Sequence, residues 1–175
     1  MPRWIGSAKQ VIHLDFHSGL GPSGTHKLLI EHPNDSERYA RCRARFGPAV
    51  ESCGGPTAYT NRGGIDEWIE SRFPNIQIDS ICAEFGTYPV LRVLKALRYE
   101  NLAYHYTKAG SHDRVHSAAQ LRETFVPADR RWRETVIRDG LDLVRRAVDS
   151  LKSSPDDRVN QISPPSALLE PGAAQ

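Results

Sequence analysis

Five consecutive residues, His13-Leu14-Asp15-Phe16-His17, alternate polar and apolar. On a strand, side chains two apart share a face. His13, Asp15 and His17 then project together, with Leu14 and Phe16 on the other side. Three polar side chains on one face need partners if they are buried. A neutral imidazole is a good zinc ligand, and a neighbouring carboxylate can fix its tautomer from outside the ligand set. An edge strand with one wet face explains the same pattern without chemistry, and the strand alone does not decide between the two.

Glu84, in Cys82-Ala83-Glu84-Phe85-Gly86-Thr87, ends a second apolar run just before a glycine turn. Ligands of open α/β sheets gather at the carboxyl ends of strands. Burial there raises a carboxyl pKa toward what a general base needs. The competing reading is a structural Glu at the start of the following helix. Tyr59, Asn61 and Arg62 lie in the glycine-rich run CGGPTAYTNRGG. An arginine there can bind a carboxylate and a tyrosine can donate to an oxyanion, or the run is a plain solvated loop. His112 and His116 are spaced for one helix face, but no Glu stands between them as in a metalloprotease HExxH helix. Solvent-exposed histidines account for them as well. Cys42, Cys53 and Cys82 lack metal-site spacing, and Cys82 reads as a packing residue in its strand. A Cys42–Cys53 bridge remains open as an alternative to free thiols.

The elements that must position these residues are legible in outline. Val11 to Phe16 and Ile76 to Phe85 read as strands, and Leu28 to Ile30 as a short one. Ser36 to Arg45 is predicted as a helix capped by Asp35, and Ile65 to Phe73 as a helix stopped by Pro74. From Pro89 a helix is expected to bury Leu91, Leu94, Leu97 and Leu102 along one stripe. The segment 103–126 is expected to be a short helix and loop. The last helix starts at the cap Asp129 and carries Trp132, Val136, Ile137, Leu141, Val144, Val148 and Leu151 at helical spacing. Residues 153–175 are rich in proline and lack periodicity, which predicts a disordered tail.

At 175 residues, 39% hydrophobic and 25% charged, the chain has the composition of one ordinary α/β domain. A net charge of +2 with arginines scattered along the chain gives no footprint for nucleic acid. No apolar stretch approaches the roughly 18 residues that a membrane span requires, and the N-terminus lacks a signal-peptide pattern. Few cysteines and no leader point to a reduced cytoplasm.

Taken together, LDFHSGLGPSG, AEFGTYPVLRVLKALRYEN and VPADRRWRETVIRDGL resemble an uncharacterised bacterial family of the zinc-carboxypeptidase superfamily. That superfamily includes succinylglutamate desuccinylase and aspartoacylase. The resemblance spans about Val11 to Leu151. It implies the C-terminal part of a mixed-sheet zinc-carboxypeptidase-like α/β fold with flanking helices, over residues 1–152. It places His17 at a zinc ligand, Glu84 at the general base, Asp15 behind His17 and Ser18 beside the substrate pocket. Tyr59 and Arg62 fall where the superfamily contacts substrate. The implied activity is zinc-dependent hydrolysis of an amide bond in a small peptide or N-acyl amino acid.

The superfamily draws its first two ligands from an H-x-x-E motif upstream of the D-x-H strand. None of the seven histidines here is followed by Glu three residues later. A catalytic zinc needs about three protein ligands. The chain is therefore expected not to hold zinc stably alone, and to need the absent N-terminal half, or an oligomeric partner, over its exposed sheet edges. The alternative function is a non-catalytic remnant serving as an interaction module.

Overall fold

Nine residues from Gln77 to Phe85 form the central strand because each face of the strand has something to bury. In this computed structural model, residues 5–54 and 63–152 are described. Along the chain come β1 (Gln10–Ser18), β2 (His26–Ile30), α1 (Glu37–Phe46), β3 (Val50–Ser52) and α2 (Ile65–Arg72). They are followed by β4 (Gln77–Phe85), α3 (Val90–Tyr106), α4 (His112–Phe125) and α5 (Arg130–Lys152). The Tyr59, Asn61 and Arg62 loop and the 153–175 tail lie outside the described residues.

The sheet has the order β1-β4-β2-β3. β1 runs parallel to β4, β2 runs antiparallel to β4, and β3 runs parallel to β2. This mixed sheet with helices around it is the α/β architecture the sequence predicts. One sheet face carries Leu28, Ile30, Val50, Ile81, Ala83 and Phe85, and it is closed by Cys42 and Phe46 of α1 and Trp132, Leu143 and Ala147 of α5. On the other face α2 covers only the lower end, where Ile69 packs with Ile78 and Val11. Among the described residues the second buried apolar cluster reaches no further up that face.

Sequence and structure differ at several boundaries. Ser36, not Asp35, caps α1: its Oγ accepts from the N–H of Tyr39 at 3.1 Å, since Ser36 is the extended residue directly before the first helical one. Asp129 does cap α5, with Trp132 N–H donating to its Oδ1 at 2.7 Å. The 103–126 segment is mostly helical, as the end of α3 and the whole of α4.

The largest departure concerns which side of two helices faces inward. Leu91, Leu94, Leu97 and Leu102 are exposed on α3, and the buried residues are Val93, Ala96 and Ala103. α4 meets them with buried Ser117 and Thr124, whose hydroxyls bond to carbonyls of their own helix. Small side chains let two helices approach closely, so the leucines are left outside. On α5, Ile137, Leu141, Val144, Val148 and Leu151 form a second exposed stripe, while Trp132, Leu143 and Ala147 turn inward. Gly140 brings this stripe beside Phe16, itself half exposed on β1, the outer strand of the described sheet. Among the described residues no helix is long and apolar enough to cross a membrane.

One buried ion cluster ties α1 to the sheet. Asp79 of β4 is fully buried and accepts from Arg41 Nε at 3.0 Å and Arg41 Nη2 at 2.6 Å. Arg45 Nη1 also donates to it. Replacing Asp79 with Ala leaves two guanidinium groups without their shared anion. The expected loss is about 3–5 kcal/mol of folding free energy, read by chemical denaturation. A loss below about 1 kcal/mol would mean that the cluster does not hold the layers together.

Candidate functional site

The parallel pairing of β1 and β4 aligns two sets of polar residues. His13 lies beside Ser80, Asp15 beside Cys82 and His17 beside Glu84. All six belong to the face opposite α1 and α5, because the alternate residues Leu14, Phe16, Ile81 and Ala83 occupy the face those helices cover. The two polar strand segments line a cleft of about 320 Å³, closed by Leu20 above and by Cys53, Ile65 and Asp66 at the side.

Each side chain in the cleft has a definite environment. His13 Nδ1 is hydrogen-bonded to Ser80 Oγ at 2.8 Å, so its ring is engaged within the wall. His17 is half exposed to the cleft, and its Nε2 lies 2.9 Å from Asp15 Oδ2. That contact orients the imidazole as an outer carboxylate does for a metal-bound histidine. Glu84 is only 6% exposed. Burial raises its pKa above the usual carboxylate range, opposed by the Leu20 N–H and by His17. The Leu20 N–H donates to Glu84 Oε1 at 2.9 Å and holds the carboxylate beside His17. Lys27 lies across from Glu84 on β2, but its ammonium pairs with Glu51.

Cys82 stands out against its expected role. It points into the cleft rather than into the core, in the row of Asp15 and two residues before Glu84. Burial, with the nearby Glu84 and Asp15 carboxylates, pushes its thiol up to about 12. Ligand atoms of His17, Cys82 and Glu84 all lie within 4.8 Å of one another. An imidazole, a thiol and a carboxylate converging at an anionic spot are donors that suit zinc, so the residues present fit that metal. The signal was in the sequence: Cys82 and Glu84 are two apart on one strand and must share a face.

The other expected residues are placed elsewhere. Ser18 turns to the opposite face, where its hydroxyl donates to the carbonyl of Phe125 at 2.7 Å. Tyr59 and Arg62 lie outside the described residues. His112 and His116 do stack on one face of α4, 5.7 Å between ring centroids, and neither lines the cleft. Cys42, Cys53 and Cys82 are all free. Cys42 is buried on the inward side of α1 and Cys53 lines the cleft on the other side of the sheet, so no bridge joins them. A larger open groove, about 940 Å³, runs between α3 and α4 past Arg92, Tyr99 and His116, and no cluster of metal-binding donors occurs in it.

The cleft owes its shape to contacts between two loops. Gly19 N–H donates to Phe85 O at 3.0 Å, and Gly86 N–H donates to Thr25 O at 2.9 Å. Trp132 Nε1 donates to Gly86 O at 2.8 Å from the helix side. These bonds draw the glycine-rich loop after β1 over the turn after β4, which sets the Leu20 N–H on Glu84. Gly19 and Gly21 meet the required backbone with φ of 142° and 100°, values that side chains disfavour.

A family model described as Protein of unknown function (DUF2817) matches residues 2–139. No curated protein and no solved structure matches the chain.

A methyl group on Gly86 would fall onto the carbonyl oxygen of Pro22 and 2.7 Å from the carbonyl carbon of Gly21. Both are backbone and cannot turn away. Gly86→Ala is expected to cost roughly 1–3 kcal/mol and to change the environment of Trp132, read by thermal unfolding and tryptophan fluorescence. An unchanged melting temperature and spectrum would show that the two loops do not pack as described.

Proposed function

The chain belongs to this family of unknown function, and we propose that it forms the Glu84-bearing part of a zinc-dependent hydrolase of amide bonds. The hydrolase is of the metallocarboxypeptidase or deacylase kind. One observation carries the reading: His17, which lines the cleft, and a buried, tethered Glu84 stand side by side on one face at the carboxyl ends of two parallel strands. The mixed sheet with flanking helices agrees with the zinc-carboxypeptidase-like fold that the motifs resemble.

In this reading Glu84 is the general base. Its Oε1 is occupied by the Leu20 N–H, which leaves Oε2 to take a proton from the attacking water. The protonated carboxyl then gives that proton to the departing amine. Asp15 holds the His17 ring in place. Ser18, bonded to Phe125, acts by anchoring the end of β1 rather than by touching substrate. Zinc held by His17 and its companion ligands would supply Lewis-acid polarisation of the scissile carbonyl and a more acidic attacking water. Tyr59 and Arg62 are the proposed contacts to a small peptide or N-acyl amino acid. The further ligands come from a polypeptide segment that covers β1 and the stripes around Phe16 and Leu141, whether an N-terminal half or a partner subunit. Three free thiols agree with a reducing cytoplasm.

The exposed leucines of α3 and the apolar stripe of α5 favour a second reading, a non-catalytic interaction module. The two readings part on one measurement. In protein assembled with the ligand-bearing segment and loaded with zinc, hydrolysis of N-acyl amino acids and short peptides is expected. Glu84→Gln is expected to lower kcat by roughly 10²–10⁴-fold with zinc still bound. Turnover retained in Glu84→Gln would remove the carboxylate from the mechanism, and no turnover in the assembled protein would leave the interaction module.

The base works only when ionised, and burial raises its pKa. In the metal-free chain Glu84 is therefore expected to take up its proton at a pH above that of an exposed carboxylate. An NMR titration in which Glu84 protonates together with the exposed carboxylates would contradict its burial.

A further inference from the structure

We infer that Cys82 is a metal ligand, and that His17, Cys82 and Glu84 form a thiolate-containing site that this chain holds by itself. The inference rests on the reading of His17 as a ligand and adds a donor to it. Counted along the sequence, His17 is the one ligand available. Counted across the sheet, three donors converge.

The geometry supports each step. Asp15 sits beside Cys82 and His17 beside Glu84 in successive same-face rows of β1 and β4. This staggered placement sets an imidazole nitrogen, a sulfur and a carboxylate oxygen within 4.8 Å of one another. Tetrahedral zinc holds such atoms about 3.5 Å apart, so side-chain shifts of about 1 Å close the set. Glu84 is anchored by the Leu20 N–H, while His17 is half exposed and has room to turn toward it. A packing role does not account for Cys82. It is absent from both buried apolar clusters, forms no disulfide and opens onto the cleft. No other group of three such donors occurs among the described residues.

The donor set also selects the metal. Thiolate and imidazole favour zinc or cobalt over magnesium or calcium, which take oxygen ligands. Binding exchanges the thiol proton for the metal, and the proton leaves to solvent. In this chain alone Glu84 serves as the third ligand. A carboxylate bound to the metal cannot act as its base, so the site is expected to bind metal without catalysing hydrolysis.

Titration of the 175-residue chain with Co(II) tests this directly. A sulfur-to-cobalt charge-transfer band with one equivalent of metal is expected, displaced by one equivalent of Zn(II). Cys82→Ser is expected to abolish the band. It is also expected to weaken zinc binding by more than the roughly 10–100-fold that losing an outer hydrogen-bond partner costs. His17→Ala is expected to weaken binding to a similar degree, and Cys53→Ser, the other cleft thiol, to keep the band. Zinc is also expected to protect Cys82 of the unaltered chain from alkylation, read by mass spectrometry, which needs no variant to fold. No cobalt binding, cobalt binding without the band, a band that survives Cys82→Ser, or alkylation of Cys82 unaffected by zinc would each overturn the inference. None of these outcomes bears on hydrolysis by the assembled protein, which is measured separately through Glu84→Gln.

Discussion

The site depends on one close approach of backbone to backbone. Gly86 lies against Gly21 and Pro22 at a distance that no side chain allows. Because it does, the loop after β1 folds over the turn after β4, and a main-chain N–H reaches a buried carboxylate. Trp132 closes the same contact from beneath by donating to the Gly86 carbonyl. Three segments far apart in the chain, around His17, Glu84 and Trp132, thus meet at one glycine. Their co-occurrence in the sequence has a mechanical cause: each supplies one side of a single junction.

β4 joins that junction to the rest of the molecule. Its odd-numbered residues point to the helix-covered face, where Asp79 takes two arginines from α1 and Ile81, Ala83 and Phe85 fill the core. Its even-numbered residues Ser80 and Cys82 line the cleft, and Glu84 follows on the same face. A strand of period two can therefore anchor the fold and build the site with the same nine residues. The cost of burying Asp79 is met by charge-assisted bonds from Arg41 and Arg45, and the cost of burying Glu84 is only partly met by one N–H. Asp79 is thus held in an ion cluster, while burial raises the Glu84 pKa.

The open side of the domain follows from the same layering. α5 is wider in its apolar coverage than the strands beneath it, and its outer stripe continues past Phe16 beyond β1. α3 likewise turns its leucines outward, because close packing with α4 uses only small residues. Strand β1 is the outer strand of the described sheet, and the α5 stripe lies beside its Phe16.

Much of the local structure was legible in the residues themselves. Alternation marked β1, an apolar run marked β4, Asp129 marked the start of α5, and the shared face of His13, Asp15 and His17 followed from strand geometry alone. Those features depend on neighbours a few positions apart, and local sequence carries them. The short strand β3 and the cap at Ser36 were missed because their signals are one to three residues long. The roles of the leucine stripes and of Cys82 depended on what lies opposite each element, which period and composition do not encode. Helical spacing says that Leu91, Leu94 and Leu97 share a side, yet only the arrival of α4 on the other side decides that they face outward. Likewise the sequence determined that Cys82 and Glu84 share a face of one strand. Only the parallel pairing with β1 decided that this face meets His17, because register between strands is set by the packing of the whole sheet.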